Sequence, residues 1–311
     1  HNFNLGKLSM TIIVALSGKK QSGKTSLSNY LHGHEMQRHD VVKKFFLSPE
    51  GNLVVNCTFQ DEKGNDFEEM GVLDLQQRND NFYRYATKNI WPLIRAYNFA
   101  DALKEMCVML FNVPVECVYG TDEQKNQIQD HLLWENMPGI VTKEVLEEEW
   151  GNMLCDWFPK DYDYYTNKMQ KELARINLTY HAAGPMTARE FMQYLGTDIM
   201  RKMYEPIWLE NCFRRIEEDK PEIAIIGDCR FMNEIHAVQE RGGKVIRLKR
   251  SLYECSHQSE IDADNYEGFD DVIENDSMNL QESCDLFIES LIKLGITKKL
   301  REINKFTASI K

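Results

Sequence analysis

No apolar run in this 311-residue chain approaches the roughly 18 residues that a membrane-spanning helix needs, so a place in the bilayer is not expected. Paired cysteines are missing as well. The eight cysteines (Cys57, Cys107, Cys117, Cys155, Cys212, Cys229, Cys255, Cys284) form no C-x-x-C unit, and no histidine stands at zinc-ligand spacing from them. That pattern argues for free thiols rather than a disulfide framework or a zinc site. A basic surplus is missing too. The net charge of −12 weighs against a nucleic-acid polymer as partner, because such proteins carry excess cations to neutralise phosphates. The segment before Met10 is polar and the apolar run after it is short, unlike a signal peptide. Residues 1–9 therefore read as an added tag, and a cytoplasmic location is expected.

What is present fits an ordinary globular chain, with 42% hydrophobic and 28% charged residues and enough length for one large or two modest domains. Residues 11–17 (TIIVALS) are a β-branched run of the kind buried on both faces of a sheet. A Gly-rich turn follows, and 24–34 reads as a helix. VVKKFFLS and NLVVNCTF flank Pro49-Glu50-Gly51 and predict a β-hairpin. Residues 61–89 carry no strong periodicity. Helical spacing predicts helices over 97–111, 187–203 with Thr187 as cap, 206–216, 231–241 and 280–294. Residues 142–175, acidic and aromatic, read as a helical excursion. Runs at 222–227 and 244–248 predict further buried strands, with Gly242-Gly243 ending the helix between them. Strand–helix alternation at both ends predicts an α/β fold with a doubly wound, mostly parallel sheet. The expected organisation is a core of 10–35, 91–135 and 183–311, with a β-rich insert at 36–90 and a lid-like helical region at 136–182.

Gly18-Lys19-Lys20-Gln21-Ser22-Gly23-Lys24-Thr25 matches G-x-x-x-x-G-K-[ST]. Such glycines let backbone N–H groups curl around phosphate, and the following helix N-terminus adds its positive end. Lys24 would reach the β- and γ-phosphates, and the Thr25 hydroxyl would ligate Mg²⁺. By average composition the pattern arises in roughly one chain in a hundred of this size, and here it also sits between a strand and a helix. The expected nucleotide-binding set is Gly18, Gln21, Ser22, Gly23, Lys24, Thr25 and Ser26.

Gly227-Asp228-Cys229-Arg230 ends a strand, where ligands gather in parallel sheets. Asp228 reads either as a carboxylate near magnesium or as an anchor for a substrate group. Arg230 reads as a phosphate clamp or as half of a structural pair. Arg189 and Arg201, twelve apart, would lie about 120° apart around an α-helix; Arg189 is favoured as ligand-facing, against a solvated surface arginine. Trp208 is open between core and ligand wall. An acceptor that is itself a phosphate monoester is already anionic, so the chemistry needs convergent cations and positioning rather than a base.

Taken together, LSGKKQSGKTSLSNYL, YNFADALKEMCVMLF, VPVECVYGTDEQKN, TAREFMQYLGTDIMRKMYEPIW, IIGDCRFMNEIHAVQERGGKVIRLKR and SHQSE resemble the deoxynucleoside monophosphate kinases of tailed bacteriophages. The resemblance covers about two-thirds of the chain. It implies a P-loop nucleoside monophosphate kinase fold, ATP and Mg²⁺ as cofactors, a deoxynucleoside monophosphate as acceptor, and a homodimer. Matched residue by residue, Phe99, Ala100 and Lys104 would line the acceptor site. Arg189, Gly196, Thr197 and Trp208 would hold the acceptor nucleotide, and Asp228, Arg230 and Glu234 would complete it. Lys24, Arg189 and Arg230 are the expected catalytic cations, with Thr25 and Asp228 at the metal. Two other readings compete: a P-loop kinase of another small acceptor, and a P-loop ATPase acting as motor or scaffold.

Overall fold

Seven residues with buried side chains along most of their length (Ile12–Gly18, β1) need neighbours on both edges and both faces, and the chain supplies them. The computed structural model describes residues 10–19, 21–60, 66–142, 171, 173–175, 178–249 and 265–300. Strand β1 pairs in parallel with β10 (Ile223–Cys229) on one side and with β11 (Lys244–Lys249) on the other. Beyond β10 lies β5 (Ile94–Tyr97), and beyond β11 lies β12 (Asp271–Glu274). All four pairings are parallel. The chain thus runs outward from β1 to the β5 edge, returns to β10, and crosses over β1 to β11. That reversal places the carboxyl ends of β1, β10 and β11 at a topological switch point, where open α/β sheets bind ligands.

Two compact units are present: His1–Phe99 with Leu209–Lys311, and Ala100–Trp208. In the first, the helix after the Gly-rich loop, α1 (Lys24–Arg38), buries Leu27, Leu31 and Met36 in one core with the β-strand residues Val14, Leu16, Ile223 and Ile225. Each such side chain contributes about 1.5–3 kcal/mol relative to exposure. The opposite side of α1 is covered as well. The predicted hairpin forms as β2 (Phe45–Leu47) against β3 (Leu53–Gln60), with β4 (Asp66–Val72) added to the β3 edge. Gly33 makes room for it: a Cβ there would collide with Phe45 and Leu53. Because α1 is covered on both sides, it carries buried polar residues among its apolar ones, His32, His34 and Glu35.

The second unit has its own core, in which Cys107, Val118, Met186 and Phe191 are buried together. Its strands are short: β6 (Ile128–Leu133) pairs antiparallel with β9 (Pro185–Thr187), and β7 (Ile140–Val141) pairs parallel with β8 (Thr179–Tyr180).

Several expectations change. The helix expected over 97–111 begins only at Asp101, because Ile94–Tyr97 is recruited to the sheet by β10, a partner some 129 residues away that local periodicity cannot reveal. The unassigned 61–89 stretch holds β4 and a helix at Asp80–Asn89, capped by the Asn79 side chain, which accepts from the Phe82 N–H at 2.9 Å. Strand β12 was not foreseen. The helix begun at Thr187, whose hydroxyl accepts from the Glu190 N–H at 3.2 Å, is α-helical only over Ala188–Gln193 and widens into a π-helix over Tyr194–Arg201. An angle computed at 3.6 residues per turn therefore does not separate Arg189 from Arg201. Most of the excursion expected at 142–175 lies outside the described residues. Cys107, Cys117, Cys212, Cys229 and Cys284 are buried free thiols, and no described helix is long and apolar enough to cross a membrane.

Glu35 generates the first prediction. It is 1% exposed, and burial opposes its charge. Hydrogen bonds from His34, Arg38 and Thr297 outweigh that and pull its pKa down from 4.5 to about 2; the Arg38 Nε contact is 2.8 Å. A carboxylate with a depressed folded pKa adds stability that is complete above its unfolded value and lost as pH falls towards the folded one. Glu35→Gln should therefore cost on the order of 3 kcal/mol at pH 7, with the gap to wild type closing between pH 4.5 and 2. Urea midpoints measured across that range check it; a constant gap at all pH values would show that the charge is not what Glu35 contributes.

Candidate active site

The Gly-rich loop leaves β1 at Gly18 and enters helix at Lys24. Gln21 (φ 61°) and Gly23 (φ 92°) take left-handed backbone angles that curl the loop. Lys24 Nζ donates to the Gly18 carbonyl at 2.7 Å, to the Lys19 carbonyl at 2.6 Å and to Ser22 Oγ at 3.3 Å. The ammonium is thus held over its own loop by neutral acceptors, for which phosphate oxygens are stronger replacements. Ser22 is 1% exposed, and its carbonyl accepts from Asn275 Nδ2 at 3.1 Å. Asn275 sits just past β12 and is itself buried, with Oδ1 lacking a hydrogen-bond partner among the described residues.

A cleft of about 620 Å³ opens over this loop. Gln21, Ser22, Gly23, Lys24, Thr25 and Ser26 line it, joined by Arg230 from the end of β10, Pro49 and Glu50 from the hairpin turn, and Asn275, Met278, Asn279, Leu280 and Ser283. Of the residues expected at the acceptor, Arg230 alone is among those lining this cleft. Its backbone N–H, and that of Phe231, donate to Glu234 at 2.7 and 3.0 Å. Glu234 is 3% exposed and so braces the turn that carries Arg230 by capping the start of the helix Met232–Glu240. Asp228 Oδ1 accepts from the Phe99 N–H at 2.8 Å, tying the end of β10 to the chain leaving β5. The Phe99 ring lies in the core, edge-on to Phe213 with centroids 6.1 Å apart.

Sequence reasoning missed Arg247. It lies inside β11, 3% exposed, with Nη1 donating to Ser17 Oγ at 2.9 Å. Cys229, beside Ser17 across the strand pair, has its thiol pushed well above the ordinary range by burial and by the nearby Glu234 and Asp228 carboxylates. An arginine in the middle of an otherwise apolar parallel strand was the available signal. Pro49, Glu50 and Asn275 carried none.

The other expected acceptor residues belong to the second unit. Arg189 Nη2 donates to Asp122 Oδ1 at 2.6 Å, a half-exposed pair of the kind worth about 0–1 kcal/mol. The Lys104 ammonium lies 5.2 Å from the centroid of the Tyr119 ring, a cation–π contact. Ala100 precedes that helix, and its carbonyl accepts the Lys104 N–H at 3.0 Å. Gly196 and Thr197 lie in the π-helical stretch. The Gly196 carbonyl accepts from Trp208 Nε1 at 3.1 Å, and Trp208 is 5% exposed; Thr197 is exposed. A second cleft of about 370 Å³, lined by residues including Trp134, His181, Tyr194 and Asp198, contains none of the expected residues.

A profile of the deoxynucleotide monophosphate kinase family matches residues 78–284. The chain belongs to that family. As such it is a phosphotransferase. The match takes in Phe99 to Glu234 and begins after the P-loop and hairpin, which are N-terminal to it. A protein of Acanthamoeba polyphaga mimivirus, provisionally named a deoxynucleotide monophosphate kinase, is 25% identical over 180 residues, covering 57% of this chain and 73% of its own.

The kinase's loop geometry gives a prediction for Asn275. Asn275→Ala removes the donor to the Ser22 carbonyl and should cost about 1 kcal/mol of stability. It should weaken binding of a non-hydrolysable ATP analogue several-fold by loosening the loop. Calorimetric titration with a parallel melting curve checks both; unchanged affinity would mean the loop holds its shape without Asn275.

Proposed function

We propose that this chain transfers the γ-phosphoryl group of ATP to the 5′-phosphate of a deoxynucleoside monophosphate, with Mg²⁺, inside a virus-infected bacterial cell. The observation that carries the reading is the placement of Lys24 and Arg230 on one cleft at the carboxyl ends of a parallel sheet, in a chain of the deoxynucleotide monophosphate kinase family. The core follows the P-loop nucleoside monophosphate kinase plan, doubly wound, with 36–90 as an insert.

Both reactants are anions, so the protein's task is to bring them together and neutralise the charge that builds between them. The loop N–H groups hold the α- and β-phosphates and Lys24 bridges β to γ. Arg230, on the same wall, neutralises the phosphoryl group in transit. Glu234 and Asp228 position it, the first by bracing its turn and the second by fixing the end of its strand. Arg189, Lys104, Gly196, Thr197 and Trp208 serve the acceptor, as the resemblance to the family implies, together with Phe99 and Ala100. No base is required, because the acceptor phosphate is already ionised.

The residues present fit a magnesium ion. Thr25 lines the cleft, and Mg²⁺ takes most of its ligands from substrate phosphates and water rather than from a protein cage. When bound, the ion would neutralise and orient the β- and γ-phosphates. Thr25 would ligate it.

Two measurements test this. A coupled ADP-release assay across the four deoxynucleoside monophosphates should show acceptor-dependent turnover, and Lys24→Ala should lower kcat about 10²–10³-fold in a folded protein. Wild-type turnover in that variant would remove Lys24 from the chemistry. Arg230→Ala should lower kcat by a larger factor than it raises KM for either substrate, the signature of an interaction made chiefly in the transition state. A pure rise in acceptor KM would instead assign Arg230 to holding the monophosphate.

A further inference from the structure

The turn at 49–51 belongs to the hairpin, yet Pro49 and Glu50 wall the same cleft as the P-loop and Arg230. The turn is anchored. Asn29 Nδ2, from α1, donates to the Gly51 carbonyl at 2.9 Å. The Gly51 N–H closes back on the Ser48 carbonyl at 2.8 Å. Gly51 has φ +84° and packs so closely on Ser26 that a Cβ would collide with its hydroxyl; only glycine meets both demands. At the hairpin's base, Phe45 and Leu53 are seated over Gly33. Glu50 is exposed, and its carboxylate is oriented by Ser48 Oγ, which donates to Oε2 at 2.7 Å. That bond also lowers its pKa, so the group is anionic.

A carboxylate beside a phosphate cleft repels the triphosphate and is attracted only to cations or hydrogen-bond donors. Lys24 reaches the β- and γ-phosphates, and loop N–H groups hold the α- and β-phosphates. Ser26 lies past Lys24 and Thr25 along α1, and the turn carrying Glu50 stands on Ser26. The part of a nucleoside triphosphate that follows its α-phosphate is the sugar, whose 2′ and 3′ hydroxyls are donors. We propose that Glu50 is a specificity-determining residue of the donor cleft, accepting hydrogen bonds from the ribose hydroxyls so that ribonucleoside triphosphates are preferred to 2′-deoxyribonucleoside triphosphates as donors. The proposal rests on the donor-cleft reading above. It gives the hairpin a role in the reaction: an enzyme whose products are deoxynucleotides gains from a donor site that disfavours the deoxy sugar.

The test compares ATP with dATP as donor, at fixed acceptor and Mg²⁺, for wild type, Glu50→Ala and Glu50→Gln, with Kd values for both nucleotides measured without acceptor. One hydrogen bond to a charged acceptor corresponds to roughly a tenfold preference. Wild type should favour ATP by about that factor in kcat/KM and in Kd. Glu50→Ala should lose about tenfold with ATP and much less with dATP, and Glu50→Gln should fall between. An exposed position keeps the fold out of the comparison, which matching melting temperatures verify. Equal use of ATP and dATP by wild type overturns the proposal, and so does a preference that survives Glu50→Ala. A Glu50→Ala protein that needs more Mg²⁺ with both nucleotides alike would assign the carboxylate to the metal and overturn it too. If neither nucleotide binds wild type, the donor-cleft reading itself fails, an outcome distinct from any change in the ATP-to-dATP ratio.

Discussion

The pairing of β1 between β10 and β11 is the constraint from which the rest of the candidate site follows. A strand buried on both faces and both edges cannot shift register without exposing its apolar side chains and breaking ladders on two sides. The Gly18 end of β1, the Cys229 end of β10 and the Lys249 end of β11 are therefore fixed relative to one another. The P-loop starts from the first and Arg230 follows the second. Arg247 inside the third bonds Ser17 beneath the loop. The relative placement of these three strand ends is thus inherited from apolar packing in the sheet.

Polar groups buried behind that site do positional work. Asn275 holds the loop through Ser22, Glu234 braces the turn of Arg230, and Asp228 ties the end of β10 to the Phe99 backbone. Each forms a hydrogen bond to a backbone group, which counts for more where the local dielectric is low. Glu35, deeper in α1, plays a comparable part, joining Arg38 to Thr297 beyond the helix Leu280–Lys293. The hairpin adds a further layer, because its seat on Gly33 and Ser26 makes one face of α1 a mounting for a cleft wall.

Much of this was readable from residues alone. β1, the P-loop, the helix after it, the hairpin around Pro49-Glu50-Gly51 and strands β10 and β11 all carry local marks: β-branched runs, glycine spacing, a turn triplet. The Thr187 cap was legible for the same reason. Strand β5 was not, since four residues carry little periodicity and become a strand only because β10 offers an edge. Nor was the π-helical widening at Tyr194–Arg201, which goes with the Trp208 bond to the Gly196 carbonyl and the close approach of Gly196 to Leu103. In the site, Lys24 and Thr25 announce themselves by motif. Arg247 was hidden inside a strand that read as apolar.

By itself, then, the sequence determined the elements whose signals are local: a parallel α/β core, a Gly-rich loop between strand and helix, and the hairpin around Pro49-Glu50-Gly51. Tertiary structure decided which distant side chains meet that loop. Pro49 and Glu50 arrive from an insert, Asn275 from beyond the last strand, and Arg247 from the neighbouring one, and none of these separations leaves a periodic trace. The physical reason is that helix, turn and loop preferences act over a few residues, whereas a cleft is assembled by the burial of apolar surface between segments tens to hundreds of residues apart, and that burial selects its neighbours only once the chain has folded.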